Sequence, residues 1–160
     1  MSFPFFAATE EHTLACARAL AAVAPRAANR AVKIFLQGEL GAGKTTWVRG
    51  FLHALGVTGR VRSPSFSLIE HYESGGLRVI HLDLYRLASA GDVRALGLED
   101  DDVAGVLWLV EWPERAAGAL GIADLELQLS IVAEGRQIEL STGTDLGAGW
   151  LAAAAPSLSQ

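Results

Sequence analysis

The sequence is poor in cysteine, in proline and in long apolar runs, and each shortage excludes a class of protein. The one cysteine, Cys16, has no partner for an intramolecular disulfide bond, so nothing suggests an oxidising compartment. No apolar run reaches the roughly 18 residues that a membrane-spanning helix needs, and the start of the chain lacks the Lys- or Arg-bearing segment of a signal peptide. With 5 prolines and 51% hydrophobic residues, the chain is neither disordered nor collagen-like.

The net charge and the length of the chain exclude further classes of protein. A net charge of −5 disfavours broad electrostatic binding to nucleic acid, so we expect no direct nucleic-acid binding by this chain alone. A chain of 160 residues has the size of one folded domain. We therefore predict a single domain over residues 1–160 that lies in the cytoplasm and does not associate with a membrane.

The hydrophobic pattern alternates between strand and helix signals, which is typical of an α/β fold. Apolar and β-branched runs predict strands at 31–37, 66–72, 77–83, 105–111, 125–132 and 137–141. The capping residue Thr9 and the helical spacing predict helices after Thr9, at 44–55 and at 150–155. The polar tail 157–160 is expected to fray.

One segment carries a specific chemical motif. Residues Gly38-Glu-Leu-Gly-Ala-Gly-Lys-Thr45 match G-x-x-x-x-G-K-[ST], the phosphate-binding P-loop, and lie between a predicted strand and a predicted helix. The glycines allow a tight backbone whose N–H groups form an anion-binding nest at the start of the helix. Lys44 is expected to reach the β- and γ-phosphates, and the Thr45 hydroxyl to bind Mg²⁺. The motif therefore predicts a nucleotide-binding protein.

Two acids follow apolar strands, where a P-loop site needs a carboxylate for the metal ion or for the attacking water. Asp83 follows the run Val79-Ile-His-Leu, and Glu111 follows Val106-Leu-Trp-Leu-Val. Both acids would lie at the carboxyl edge of a parallel sheet. Either is also consistent with a solvated acid that caps the next helix, and the residues alone do not decide which of the two orients the water.

Other polar and aromatic residues near these motifs have two interpretations each. The hydroxyls of Ser63-Pro-Ser-Phe66 suit a switch that senses the γ-phosphate, but a plain proline turn is the simpler interpretation. His81 is interpreted as a core histidine or one that supports the site, rather than as a base. Trp112 suits either a wall of the nucleotide pocket or the core.

Four blocks in order resemble the TsaE (YjeE) family, bacterial P-loop ATPases of tRNA threonylcarbamoyladenosine biosynthesis. The blocks are Gly38-Glu-Leu-Gly-Ala-Gly-Lys-Thr-Thr46, Ser63-Pro-Ser-Phe66, His81-Leu-Asp-Leu-Tyr-Arg-Leu87 and Glu111-Trp-Pro-Glu114. The resemblance runs from about Thr9 to Ser141. It implies a three-layer α/β domain of the P-loop NTPase type, with a largely parallel central sheet and antiparallel additions.

The resemblance also implies roles for individual residues. Lys44, Asp83 and Glu111 would be catalytic, and Thr45, Asp83 and Glu111 would bind Mg²⁺. ATP would be bound by Gly38, Leu40, Gly41, Ala42, Gly43, Lys44, Thr45, Thr46, Thr9, Glu10, Trp112 and Ser65. Ser65 stands where the family usually has threonine, which keeps the hydroxyl and loses a methyl group.

By the same resemblance, the chain would work with the TsaD and TsaB proteins, which attach threonylcarbamoyl to adenosine beside the anticodon. It would meet tRNA only through that complex, and slow ATP hydrolysis would drive assembly and reset of the complex. One alternative is a small-molecule P-loop kinase, although the acidic stretch Gly97–Asp102 is unlike an Arg-rich lid. Another is a nucleotide-dependent assembly subunit with negligible turnover, because binding and hydrolysis use overlapping residues.

Overall fold

The computed structural model describes residues 2–64 and 66–159, in which strands and helices alternate along most of the chain. Their order is β1 (Ser2–Ala7), α1 (Glu10–Ala22), β2 (Val32–Gln37), α2 (Lys44–Ala54), β3 (Ile69–Ser74), β4 (Leu77–Asp83), β5 (Val106–Glu111), β6 (Leu125–Val132), β7 (Gly135–Thr142) and α3 (Asp145–Leu158). Short 3₁₀ helices within the same described residues are Ala90–Leu96, Leu98–Asp101 and Pro113–Ala116.

The strands of the described residues form one sheet in the order β1-β7-β6-β2-β5-β4-β3. At its centre β2 is parallel to both β5 and β6, and β4 is parallel to β5. The edges are antiparallel, because β3 pairs with β4, while β7 pairs with β6 and β1. The predicted α/β fold, with a largely parallel centre and antiparallel additions, is confirmed.

The two faces of the sheet are covered by different kinds of structure. On one face the three α-helices pack on a cluster that includes Leu36, Leu109 and Leu127. On the other face the 3₁₀ helices and their connections cover a cluster that includes Phe35 and Trp108. Because successive side chains of a strand point to opposite faces, the neighbours Phe35 and Leu36 enter different clusters. The sheet is thus the middle of three layers.

The same alternation decides which residues at the strand ends face α2. Val79 of β4 and Leu109 of β5 belong to the cluster beneath the α-helices. Residues an even number of positions further along share that face, so His81, Asp83 and Glu111 also lie on the α2 side. The register pairs Asp83 directly with Glu111. The carboxyl ends of β4 and β5 therefore present their acids next to the start of α2.

The first two helices begin where the sequence predicts. The Thr9 side chain accepts a hydrogen bond from the His12 amide at 3.4 Å and caps α1, whose first turn holds Glu10 and Glu11. Helix α2 starts at Lys44, directly after the glycine-rich loop. Within the described part of the chain, no helix combines the length and the hydropathy needed to cross a bilayer.

The predicted limits of the last helix are wrong. Helix α3 spans Asp145–Leu158 instead of 150–155, because Thr144 caps it by accepting a hydrogen bond from the Gly147 amide at 3.1 Å. The predicted fraying of the tail 157–160 is also wrong for Ser157 and Leu158, which belong to α3, and Leu158 is only 5% exposed. Gln160 lies outside the described residues.

Strand β3 differs most from its predicted limits, and β7 is also longer than predicted, at Gly135–Thr142 rather than 137–141. Strand β3 spans Ile69–Ser74 rather than 66–72, because Leu68 takes a left-handed φ of 63° and donates to the Pro64 carbonyl at 2.9 Å in a turn. Strand β1 was not predicted. It pairs antiparallel with β7 along its whole length, with Phe3 packed against the core and Phe6 exposed.

The buried carboxylate of Asp124 joins β2, the start of β6 and the cap of α3. It accepts hydrogen bonds from Arg30 at 2.6 and 3.0 Å, from the Lys33 amide at 2.9 Å and from the Thr144 hydroxyl at 2.6 Å. Burial alone would raise the pKa of Asp124, but these hydrogen bonds outweigh burial and lower it. The ionised form is therefore the one that stabilises the fold.

We predict that Asp124→Asn lowers the free energy of unfolding by about 2–3 kcal/mol at pH 7. Urea unfolding followed by circular dichroism measures this change, and Glu126→Gln, two residues further along the chain in β6, should change it by less than about 0.5 kcal/mol. Because the folded-state pKa of Asp124 is lowered, its stabilisation is complete above the unfolded pKa and is lost as the pH falls through the folded pKa. A difference in the free energy of unfolding between Asp124→Asn and the parent that stays constant down to about pH 2 would contradict this account.

Candidate functional site

A cavity of about 440 Å³ opens where β4 and β5 end and the glycine-rich loop turns into α2. It contains most of the site residues predicted from the sequence, which are Leu40, Gly41, Gly43, Lys44, Thr45, Thr46, Asp83, Glu111 and Trp112. Residues not included in that prediction also line it, namely Ser63, Tyr85 and Arg86. The cavity thus lies at the carboxyl edge of the parallel strands, where α/β sheets bind their ligands.

The loop between β2 and α2 has a backbone that requires glycine. Gly38 has a φ of +146°, and a Cβ there would lie 2.4 Å from the Leu129 carbonyl oxygen. Gly43, with a φ of +106°, turns the chain into the first residue of α2. Ala42, a residue of this loop, is fully buried. The loop therefore lies close to the β6 strand and presents backbone N–H groups at the start of α2.

The Lys44 ammonium group is held by its own loop. Its Nζ donates to the carbonyl oxygens of Gly38 at 2.6 Å and Glu39 at 2.9 Å, and lies 4.3 Å from the centre of the Trp112 indole. Burial lowers the pKa of Lys44, while nearby carboxylates, Glu111 first among them, act in the opposite direction. The cation thus sits over an aromatic face at the floor of the cavity.

Thr45 and Glu111 bring hydroxyl and carboxylate oxygens together. The Thr45 Oγ1 donates to the Glu111 carboxylate and lies 2.9 and 3.0 Å from its two oxygens. Such oxygens suit Mg²⁺, which usually takes one or two protein ligands and completes its shell with phosphate oxygens and water. The described residues contain no group of three His, Cys, Asp or Glu side chains able to hold a metal ion by themselves. The pair therefore fits a cation that arrives with a phosphate ligand.

Asp83 lies at the same edge but has different partners. Its Oδ1 accepts a hydrogen bond from the Tyr85 amide at 3.0 Å, and its Oδ2 accepts one from the Ser63 hydroxyl. The structure brings Lys44, Thr45 and Glu111 into direct proximity and connects Asp83 to the segment that begins at Ser63. Ser65, predicted to contact the nucleotide, lies outside the described residues.

Thr9 and Glu10 lie beside a second, smaller cavity of about 190 Å³ that shares Gly41, Gly43 and Thr46 with the first. Both side chains have structural partners. The Thr9 hydroxyl caps α1, and the Glu10 carboxylate forms an ion pair with Arg49 at 2.6 Å. This segment therefore lies near the glycine-rich loop, and its predicted contact with the nucleotide stays a prediction.

Two further residues that contact the site were absent from the predicted set of site residues. Arg136, at the β6–β7 turn, donates from Nη2 to the Gly41 carbonyl at 3.1 Å. The Nε2 of His81 lies 2.8 Å from Oε1 of Glu111. The two-residue spacing of His81 and Asp83 could have indicated a shared face, whereas no local pattern indicates that the β6–β7 turn reaches the loop.

The fold and this arrangement define an α/β domain of the P-loop NTPase type. The sequence model of the family described as "Threonylcarbamoyl adenosine biosynthesis protein TsaE" matches residues 7–138. The chain belongs to the TsaE family, as the resemblance of its sequence motifs predicted.

Individual proteins agree with this assignment. A Haemophilus influenzae protein named "tRNA threonylcarbamoyladenosine biosynthesis protein TsaE" is 39% identical over 118 residues, which are 74% of this chain and 75% of that protein. A Bacillus subtilis protein with the same name is 43% identical over 77 residues, 48% of each chain. The crystal structure of Bacillus subtilis YdiB superposes with a TM-score of 0.76 at 26% identity, and covers 98% of this chain and 95% of that one.

Proposed function

We propose that the chain is a Mg²⁺-dependent accessory ATPase of the complex that adds threonylcarbamoyl to the adenosine next to the tRNA anticodon. It would bind ATP, hydrolyse it slowly and work with the TsaB and TsaD proteins in the cytoplasm. The observation that carries this proposal is the convergence of Lys44, Thr45 and Glu111 at the floor of one cavity, in a member of the TsaE family.

Each of these residues has a defined part in holding the nucleotide. The loop N–H groups would bind the phosphates, and Lys44 would exchange its loop carbonyl partners for phosphate oxygens. Thr45 and Glu111 would hold Mg²⁺, and Asp83 would orient water or the metal shell from the neighbouring strand end. Bound Mg²⁺-ATP supplies the phosphoanhydride bond whose hydrolysis would reset the complex.

We expect slow hydrolysis by the isolated chain because Arg86, which lines the cavity, already contacts another side chain. Arg86 lines the cavity, but its guanidinium stacks on the Phe66 ring at 5.1 Å. Fast phosphoryl transfer in P-loop NTPases needs an arginine or an equivalent cation at the developing charge. We therefore expect a partner, or a rearrangement that a partner induces, to complete the site.

The small-molecule kinase alternative is less well supported. Its lid would have to come from the segment after Asp83, but the acids of the 3₁₀ helix Leu98–Asp101 and its neighbour pair elsewhere. Asp101 forms an ion pair with Arg78 at 2.8 Å, and Asp102 forms one with Lys33 at 2.7 Å. Lys33 and Arg78 belong to the sheet face opposite α2. This segment therefore covers the far side of the sheet rather than the cavity.

The proposal is tested by reconstituting the modification. Purified chain is combined with TsaB, TsaD, unmodified tRNA, ATP and a preformed threonylcarbamoyl donor, and modified nucleoside is measured by mass spectrometry. Repeated modification of tRNA should require the chain and its ATP. Equal yields with and without the chain would refute the proposed role, whereas activity with a non-hydrolysable ATP analogue would favour an assembly subunit without turnover.

An exposed aromatic residue beside the cavity suits contact with the partner proteins. The Phe66 side chain is 91% exposed and shares a groove with Arg60 and Arg62. Aromatic and arginine side chains carry much of the energy at protein interfaces. We predict that Phe66→Ala lowers the affinity for the TsaB–TsaD pair by about tenfold, measured by calorimetry.

The matched control for this prediction is Ile122→Ala. Ile122 is 69% exposed, precedes β6 and is not among the residues that line the cavity. Its substitution should leave partner affinity unchanged, and ATP binding by the isolated chain should be unchanged in both variants. Equal partner affinity for Phe66→Ala and the parent would show that the interface lies elsewhere.

A further inference from the structure

His81 is a fully buried histidine in direct contact with a candidate metal ligand. It lies on β4, two residues before Asp83, and none of its surface is exposed. Its Nε2 is 2.8 Å from Oε1 of Glu111, which is itself only 2% exposed. Burying two polar side chains in this way costs free energy unless they are hydrogen-bonded.

The hydrogen bonds around Glu111 assign the proton of the His81 ring. An ionised carboxylate only accepts hydrogen bonds, so Nε2 must carry the hydrogen that it shares with Glu111. Among the described residues, none hydrogen-bonds to the buried Nδ1 of His81. The neutral ring with its hydrogen on Nε2 satisfies both observations, because Nδ1 then carries a lone pair rather than an unpaired N–H group.

The two oxygens of Glu111 consequently have different surroundings. Oε1 accepts from His81 at 2.8 Å and lies 2.9 Å from the Thr45 hydroxyl. Among residues 2–64 and 66–159, Thr45 alone lies within hydrogen-bonding distance of Oε2, at 3.0 Å. A hydrogen bond to one oxygen fixes rotation of the carboxylate about its terminal bond, which is otherwise soft. Oε2 is therefore the oxygen left for a cation bound at Thr45.

We propose that His81 is a positioning residue that orients the Glu111 carboxylate toward the cation site at Thr45. The inference rests on the proposed function, because it assumes that a Mg²⁺-nucleotide complex binds in this cavity. His81 does not contact the nucleotide or the cation itself and acts only through Glu111. Residues that orient metal ligands in this way typically change metal affinity by about 10–100-fold when they are replaced.

Two variants separate the hydrogen bond from the packing of the ring. His81→Leu fills similar space and removes the donor, whereas His81→Gln offers an amide N–H at about the place of Nε2. Binding of the non-hydrolysable analogue AMPPNP is measured by calorimetry in EDTA and over a series of MgCl₂ concentrations. The reported quantity is the MgCl₂ concentration that gives half of the metal-dependent gain in affinity.

His81→Leu is expected to raise this concentration by about 10–100-fold, and His81→Gln to bring it back to within about threefold of the parent. Affinity for AMPPNP in EDTA should be the same in all three proteins. The proposal would be overturned if this MgCl₂ concentration rose equally in both variants, or if it did not rise in His81→Leu. If His81→Leu does not fold, His81→Asn, whose shorter amide does not reach Glu111, replaces it in the comparison.

The AMPPNP titration distinguishes a failure of the proposed role of His81 from a failure of the proposed function. A parent chain that binds AMPPNP with no dependence on MgCl₂ would overturn the proposed function and the role of His81 together. A parent with clear metal dependence and a His81→Leu variant identical to it would overturn the role of His81 alone.

Discussion

Replacing Lys44 with alanine is expected to weaken ATP binding by about 100-fold, equivalent to about 3 kcal/mol. The ammonium group already has two carbonyl acceptors, Gly38 and Glu39, at the floor of the cavity. Its exchange of these neutral acceptors for charged phosphate oxygens would supply two charge-assisted hydrogen bonds. Calorimetric titration of the parent and the variant with ATP in MgCl₂ measures the loss.

The control for Lys44→Ala is Arg26→Ala, which also removes one positive charge. Arg26 is distant from the cavity and hydrogen-bonds to the Gly75 carbonyl, so its loss should leave ATP binding within about twofold of the parent. Thermal unfolding should place Lys44→Ala within about 1 kcal/mol of the parent, because a buried cation contributes little net stability. An unchanged affinity for ATP in Lys44→Ala would mean that the phosphates do not bind at this loop.

Glu111→Gln is expected to lower partner-stimulated ATP hydrolysis by about 100-fold and to remove most of the gain in ATP affinity that MgCl₂ gives the parent. Glutamine keeps the size of the side chain and one carbonyl oxygen, but it loses the charge that would bind Mg²⁺ beside Thr45. Phosphate release in the presence of the TsaB–TsaD pair measures the rate, and calorimetry with and without EDTA measures the affinity.

Glu99→Gln provides the same chemical change in the 3₁₀ helix Leu98–Asp101, on the opposite side of the sheet. Glu99 is exposed and is not among the residues that line the cavity. Its replacement should change neither the rate nor the metal dependence by more than about twofold. If Glu111→Gln kept its full dependence on MgCl₂ while Asp83→Asn lost it, the metal would be held by Asp83, and our assignment of Glu111 would be wrong.

The part of the candidate site that could be predicted is the part built from local sequence. The loop that ends in Lys44 and Thr45 connects β2 to α2 within one continuous segment. Its sequence motif alone therefore predicts its conformation. Glu111 and Asp83 were predictable for a related reason, because an acid that directly follows an apolar strand lies at the strand's carboxyl edge.

Contacts between segments distant in the sequence were not predictable in the same way. The hydrogen bond from Arg136 to Gly41 exists because the β6–β7 turn lies against the loop, and nothing near Arg136 in the sequence indicates this. Strand β1 was missed because its partner β7 is more than 100 residues away, by the register that pairs Ser2 with Ser141. Helix α3 was predicted too short because the Thr144 cap precedes a glycine-rich first turn that has little helical pattern.

The most direct test of the central claim is ATP hydrolysis by the purified chain, first alone and then with the TsaB–TsaD pair from the same source. We expect turnover by the chain alone well below the ~1–100 s⁻¹ of kinases. We also expect strong stimulation by the pair in the parent and none in Lys44→Ala. Unchanged turnover in the presence of the pair, or equal stimulation of Lys44→Ala, would contradict an accessory ATPase of tRNA modification.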